Sequence, residues 1–73
     1  MARVAIRSEI SGKVWKVEAS PGAALAEGDA VVILESMKME IPVEAPRAGR
    51  LAEILVGEGD AVIEDQVIAW LET

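Results

Sequence analysis

The sequence predicts an all-β domain, a flattened β-barrel or sandwich in which two similar four-strand halves pack with pseudo-two-fold symmetry. Short apolar runs rich in β-branched residues alternate with turns that contain Gly or Pro, a pattern typical of strands and hairpins. The chain also repeats its own pattern at a shift of 37 residues. Its 73 residues allow one domain, which we expect to span 1–73 with repeat halves 1–36 and 38–73.

Eight extended segments are expected in order, and no segment has helical periodicity of useful length. In the first segment Val4, Ile6 and Ile10 alternate with charged residues, as in a half-buried strand. The fifth segment contains Pro42, which cannot donate a ladder hydrogen bond, so this strand is expected at a sheet edge or with that position facing outward. The predicted segments cover residues 3–10, 13–18, a short piece around Leu25, 30–34, 39–43, 51–56, 62–63 and 67–71.

The internal repeat predicts where the chain ends lie. It aligns without a gap, so that Gly12 falls on Gly49 and the apolar positions coincide, because the same bends and the same core would be used twice. Under the shift, Lys38 is the counterpart of Met1. We therefore expect the two termini together at one end of the domain and Lys38 at the other.

Composition excludes several classes of function. The chain has no cysteine, histidine or tyrosine, which removes disulfides, the commonest metal ligand and the commonest general base. A complete enzyme is not expected, and we predict neither catalytic residues nor a metal site. The net charge of −6 disfavours nucleic acid as a partner. The apolar runs are too short to span a membrane and the N-terminus has no signal-peptide pattern, so the cytoplasm is predicted.

The central feature of the sequence is the segment 35–40, which lies between two predicted strands and should form a hairpin end. Its tip is Met37-Lys38, although tight hairpin turns favour Gly, Asn or Asp because they need positive φ. A local rule broken at such a place indicates function. A solvated lysine is a poor catalytic amine, which needs burial or a cationic neighbour, but it is a good acceptor for a modifying enzyme.

Residues Glu35-Ser36-Met37-Lys38-Met39 resemble the biotin-attachment motif of the biotinyl/lipoyl domain family, whose usual form is Ala-Met-Lys-Met. Ser36 stands where alanine is usual, a small change that should be tolerated. The resemblance covers the whole chain and is greatest to short, free-standing biotin carboxyl carriers (biotin/lipoyl attachment proteins). It implies a barrel-sandwich hybrid, a flattened β-barrel/sandwich of two four-stranded antiparallel sheets, with the modified lysine on a hairpin tip. Further matching residues are Leu34-Glu35, Ala45-Pro46, Gly49, Gly59-Asp60 and Leu71-Glu72.

The resemblance implies roles for four residues and a set of partners. Lys38 would carry covalent biotin, and Met37, Met39 and Glu35 would be recognised by a biotin protein ligase that works through biotinyl-adenylate. An ATP-dependent biotin carboxylase would load CO2 on the biotin, and a carboxyltransferase would pass it on, plausibly to an acyl-CoA. Glu35 has a second interpretation as a simple strand end, because Glu72 is its repeat counterpart.

The sequence is compatible with two other functions. Lipoyl domains usually carry Asp-Lys-Ala, so Met37 and Met39 make lipoate, or acceptance of both cofactors, the second hypothesis. The third is an unmodified adaptor domain of the same fold. The two aromatic residues, Trp15 and Trp70, are expected to fill or cover the core rather than form a docking patch.

Overall fold

A computed structural model describes residues 2–73 of the chain. In this part of the chain no helix is long and apolar enough to cross a membrane. The structure has eight strands: β1 (Arg3–Arg7), β2 (Gly12–Val17), β3 (Ala24–Leu25), β4 (Ala30–Ser36), β5 (Met39–Glu44), β6 (Gly49–Ile54), β7 (Ala61–Val62) and β8 (Val67–Glu72).

The strands form two four-stranded antiparallel sheets with the orders β1-β8-β6-β3 and β5-β4-β2-β7. Exchanging β1 with β5, β2 with β6, β3 with β7 and β4 with β8 converts one order into the other. The predicted fold class, with its two sheets and pseudo-two-fold symmetry, is confirmed. Pro42 lies in β5, which is an edge strand of its sheet. Proline has no N–H to donate, and an edge strand tolerates this because it has a neighbouring strand on one side only.

A single apolar core lies between the sheets. Strands β4 and β8 each pair with a strand on both sides, and they supply most of the fully buried side chains. Burying these side chains between two sheets is the main favourable contribution to folding in so small a domain. The buried core consists of Ile6, Val14, Val31, Val32, Leu34, Val43, Ala45, Leu51, Val56, Val62, Ile68, Ala69 and Leu71.

Turns that are 37 residues apart use the same backbone hydrogen bonds. The Gly28 N–H donates to the Ala45 carbonyl at 2.9 Å, and at the equivalent place the Asp65 N–H donates to the Ser8 carbonyl at 2.7 Å. Gly28 and Asp65 both have positive φ, 90° and 72°. The bends of the two halves are therefore the same even where the residue types differ.

The described chain ends pair with each other. The Ala2 N–H donates to the Thr73 carbonyl at 3.3 Å, and the Thr73 N–H donates to the Ala2 carbonyl at 2.9 Å. Met1, the expected counterpart of Lys38, lies outside the described residues. That Lys38 and the termini lie at opposite ends of the domain stays a prediction.

The largest difference from the predicted segments concerns the end of β1, which stops at Arg7 instead of continuing to Ile10. Ser8 is only 1% exposed, and its N–H donates to the Gln66 carbonyl at 2.9 Å. Its hydroxyl donates to the Ile10 carbonyl and so bends the chain locally. Similarly β6 runs from Gly49 to Ile54 rather than over 51–56, because Gly49 already pairs with Leu25 of β3.

Two glycines allow close contact between strand starts and strand ends. A Cβ at Gly12 would lie 2.8 Å from the Glu35 carbonyl oxygen, and a Cβ at Gly49 would lie even closer to the Glu72 carbonyl oxygen. Real Cβ atoms do not approach carbonyl oxygens this closely, so any larger residue must push the backbones apart. At Gly12 this contact sets the start of β2 against the base of the β4–β5 hairpin.

We predict that Gly49→Ala lowers the free energy of unfolding by roughly 1–3 kcal/mol, because the added methyl overpacks the β6–β8 contact. Gly57→Ala is the matched control, since a Cβ there would meet nothing closer than 4.0 Å. Denaturant unfolding followed by tryptophan fluorescence measures both. Equal stability of the two variants would contradict the close approach.

Candidate functional site

The site is the hairpin that joins β4 to β5. The ladder between the two strands continues to the pair Ser36–Met39, so only Met37 and Lys38 remain in the turn. Their φ angles are 52° and 64°. Positive φ at both central residues defines a type I′ turn, the form that matches the twist of the flanking strands. The predicted tip is therefore correct, and both of its residues adopt a conformation that side chains usually avoid.

The hairpin is held in place by the core. In β4, Val32 and Leu34 are fully buried, and they pair across the ladder with Val43 and Ile41 of β5. A shift of the register by one residue would move these side chains to the solvent face, so the register is strongly fixed. The position of the turn follows from that register. The hairpin therefore holds the residues of its turn at a fixed position relative to the core.

The side chains at the tip lie in solvent. Met37 is 91% exposed and Met39 is 62% exposed, and Lys38 between them is exposed as well. Methionine normally fills gaps in cores, so two exposed methionines beside one lysine are not explained by packing within the domain. They offer adaptable apolar contacts to a second molecule.

Acidic residues occupy the base of the hairpin. Glu35 and Glu40 pair directly across the β4–β5 ladder, which places like charges side by side. On its other edge Glu35 pairs with Lys13 of β2. Among residues 2–73 the one ion pair within 4 Å joins Lys16 to Glu18, so the Lys38 ammonium is not held by a carboxylate of the described chain.

The Lys38 amine is open to solvent. Within the described residues, no group of three or more His, Cys, Asp or Glu side chains is placed to hold a metal ion. The exposure of the whole tip leaves the amine accessible to an external active site. Chemically, this arrangement can act as an acceptor of an activated group and as the anchor of a flexible arm.

The two tryptophans, whose sequence positions predict similar roles, differ in exposure. Trp15 is 46% exposed, so it is not a core residue, and the two remaining interpretations, a surface cover and a docking residue, both fit its position. It lies at a β-bulge of β2, between Val14 and Lys16, where the register with β4 shifts. Trp70 is half-buried, and the Arg3 guanidinium lies 5.8 Å from its ring centroid. The signal that could have separated them was the repeat, which gives Trp15 the counterpart Ala52.

Fold and site together define a class of protein: a small two-sheet domain that presents one lysine on a tight hairpin turn. The family model described as "Biotin-requiring enzyme" (biotin/lipoyl) matches residues 4–71. The chain belongs to this family.

Similarities to known proteins and to a solved structure support the same family assignment. The chain is 44% identical over 63 residues to the biotin/lipoyl attachment protein of Bacillus subtilis, covering 86% of each chain. It is 44% identical over 64 residues to the biotinylated protein TB7.3 homolog of Mycobacterium leprae, covering 88% of this chain and 90% of that protein. The crystal structure of the Kluyveromyces lactis urea carboxylase superposes with a TM-score of 0.93 at 33% identity over 99% of this chain, which spans only 6% of that enzyme.

We predict that Met37→Asn raises the free energy of unfolding by roughly 0.5–1 kcal/mol, because asparagine tolerates positive φ better than methionine does. Met39→Asn is the matched control. Met39 lies in β5 and has no positive φ, and asparagine is disfavoured in strands. Thermal unfolding should therefore rank Met37→Asn above the unsubstituted protein and Met39→Asn at or below it. The opposite ranking would contradict strain at the tip.

Proposed function

We propose that this protein is a biotin carboxyl carrier whose attachment residue is Lys38. The observation that carries the proposal is the exposed lysine at a type I′ turn made without Gly or Asn, flanked by exposed Met37 and Met39. Family membership and the similarity to a biotinylated protein support biotin as the covalent group. The chain itself contributes no catalytic residue to the reaction.

The residues of the tip fit the requirements of attachment. An amide would form between the Lys38 Nζ and the carboxyl carbon of biotin, while AMP leaves the activated acid and the ammonium gives up two protons. The ligase supplies the base and the activated acid, so the carrier needs only an accessible amine in a fixed place. The buried pairs of the β4–β5 ladder hold that place, and the methionines provide apolar contacts for the ligase.

The tether explains what a carrier gains from this architecture. Biotin supplies a ring nitrogen that accepts and releases a carboxyl group, and the long lysine-linked arm carries it between two active sites. Tethering replaces free diffusion by an effective concentration set by the length of the arm. We propose a biotin protein ligase, a biotin carboxylase and a carboxyltransferase as partners. We propose the cytoplasm as the compartment.

Glu35 is proposed as part of the surface that the ligase reads. It is exposed at the base of the hairpin, three residues before Lys38. Its repeat counterpart Glu72 lies at the end of β8, so a strand-end role for the carboxylate is the competing explanation.

Lipoate is the second candidate because one close relative is named for both biotin and lipoyl attachment. Met37 and Met39 argue against it, since lipoyl domains usually carry Asp-Lys-Ala at these positions. A role as an unmodified adaptor would leave the strained turn and the exposed methionines without a purpose.

We predict that Lys38→Arg abolishes biotinylation completely while leaving the unfolding transition within roughly 0.5 kcal/mol, because the side chain is exposed. Lys13→Arg and Lys16→Arg remove the other two lysines and serve as matched controls that should be modified normally. Incubation with a biotin protein ligase, biotin and ATP, followed by intact mass, measures the modification. Biotin on Lys38→Arg would place the attachment site elsewhere.

We also predict that Met37→Asp combined with Met39→Ala shifts the domain toward acceptance by a lipoyl ligase, since the double substitution introduces the Asp-Lys-Ala pattern around Lys38. Competition between purified biotin and lipoyl ligases for the variant and the unsubstituted protein measures the preference. An unchanged preference would show that the methionines do not decide the cofactor.

A further inference from the structure

We propose that Trp15 is a docking residue for the biotin protein ligase, an inference that rests on the proposed function. The indole lies on the outer face of β2. At the bulge, Val14 points into the core and both Trp15 and Lys16 are exposed. Bulges re-aim side chains and recur next to functional sites.

The second half of the fold shows that this position needs no tryptophan. Strand β6 has the same bulge, with a register shift between Leu51 and Glu53, and its extra residue is Ala52. The two bulges are 37 residues apart and pair with equivalent strands, β4 and β8. Because an alanine satisfies the same backbone environment, packing of the fold does not account for a half-exposed indole at position 15.

The surroundings of Trp15 connect it to the hairpin. A shallow cleft of about 390 Å³ is lined by Lys13, Val14, Trp15, Glu35, Glu58 and Gly59. Glu35 belongs to both this cleft and the base of the hairpin, where it pairs with Glu40. The cleft surface therefore continues into the segment that leads to Lys38.

The distance between Trp15 and Lys38 favours the ligase as the partner that contacts Trp15. Trp15 faces the stretch of β4 at Ile33 and Leu34, four to five residues from Lys38, which is roughly 13–16 Å along an extended strand. A standard interface covers about 800 Å² per partner, a disc of roughly 16 Å radius. A ligase must bring its active site to the Lys38 Nζ itself, so its footprint is centred on the hairpin and extends to Trp15. Enzymes that act on the far end of the attached arm have no such constraint.

The residues of the cleft predict the properties of the ligase surface that would bind it. The cleft holds two carboxylates, Glu35 and Glu58, against one ammonium, Lys13. An exposed indole on a surface with this net negative charge fits an apolar pocket with a basic rim. Tryptophan is, with tyrosine and arginine, one of the residue types enriched among those that dominate binding. Met37 and Met39 would then be the adaptable contacts at the tip and Trp15 the rigid anchor below it.

The test compares initial rates of biotinylation with a purified biotin protein ligase, biotin and ATP, read by intact mass. We expect Trp15→Ala to lower kcat/KM by about tenfold or more, mainly through a higher KM. Ala52→Trp places an indole on the equivalent bulge and should leave the rate unchanged, and Trp15→Ala combined with Ala52→Trp should stay slow. Trp70 is retained in Trp15→Ala and in the double variant, and its fluorescence checks that both proteins are folded.

A second pair of variants tests the same surface without touching the indole. Glu58→Lys, in the cleft, should lower kcat/KM several-fold at low salt, whereas Glu64→Lys, outside the cleft but with the same change of charge, should not. Equal rates for Trp15→Ala and the unsubstituted protein, or recovery by Ala52→Trp, would overturn the docking role. No modification of the unsubstituted protein would instead overturn the proposed function.

Discussion

The position of Lys38 depends on the packing of strand β4. This strand pairs with β2 on one side and β5 on the other, and its side chains Val31, Val32 and Leu34 are fully buried. The close contact at Gly12 sets the start of β2 against the carbonyl of Glu35, near the end of β4. Because β4 is fixed on both edges and on its inner face, the turn that follows it is fixed as well. A tethered arm gains from a rigid anchor, since only the arm itself then needs to move.

The turn shows how the domain departs from local preferences at one place. Residues other than glycine cost about 1–2 kcal/mol each in the left-handed region, and both Met37 and Lys38 adopt it. Gly28 and Asp65, which occupy equivalent bends in the two halves, also have positive φ, but glycine and aspartate tolerate it better than methionine or lysine does. Strain that persists at one exposed turn, in a domain that uses tolerant residues elsewhere, is consistent with selection for what the side chains present.

Most of the fold follows from patterns that a sequence displays directly. The β-branched runs place the strands, the turn glycines place the bends, and Pro42 places β5 at an edge. The tip at Met37-Lys38 follows from its position between two apolar runs. These features depend on residue type and spacing, which are visible without knowing which strands are neighbours.

The remaining features depend on tertiary contacts. The early end of β1 requires the hydrogen bond from the Ser8 N–H to Gln66, a residue far away in the chain. The exposure of Trp15 depends on a bulge, which is defined by the register with β4 and has no residue signature of its own. An aromatic residue in a strand predicts burial on average, and only comparison with Ala52 separates this one from a core residue.

The central claim is that Lys38 carries one biotinyl group in the cell. The most direct measurement is the intact mass of the protein isolated from its own host, with the modified peptide mapped by fragmentation. We expect a single biotinyl group on the peptide that contains Lys38. A lipoyl group at Lys38, a modification at Lys13 or Lys16 instead, or an unmodified chain in a host that biotinylates its other carriers would contradict the account.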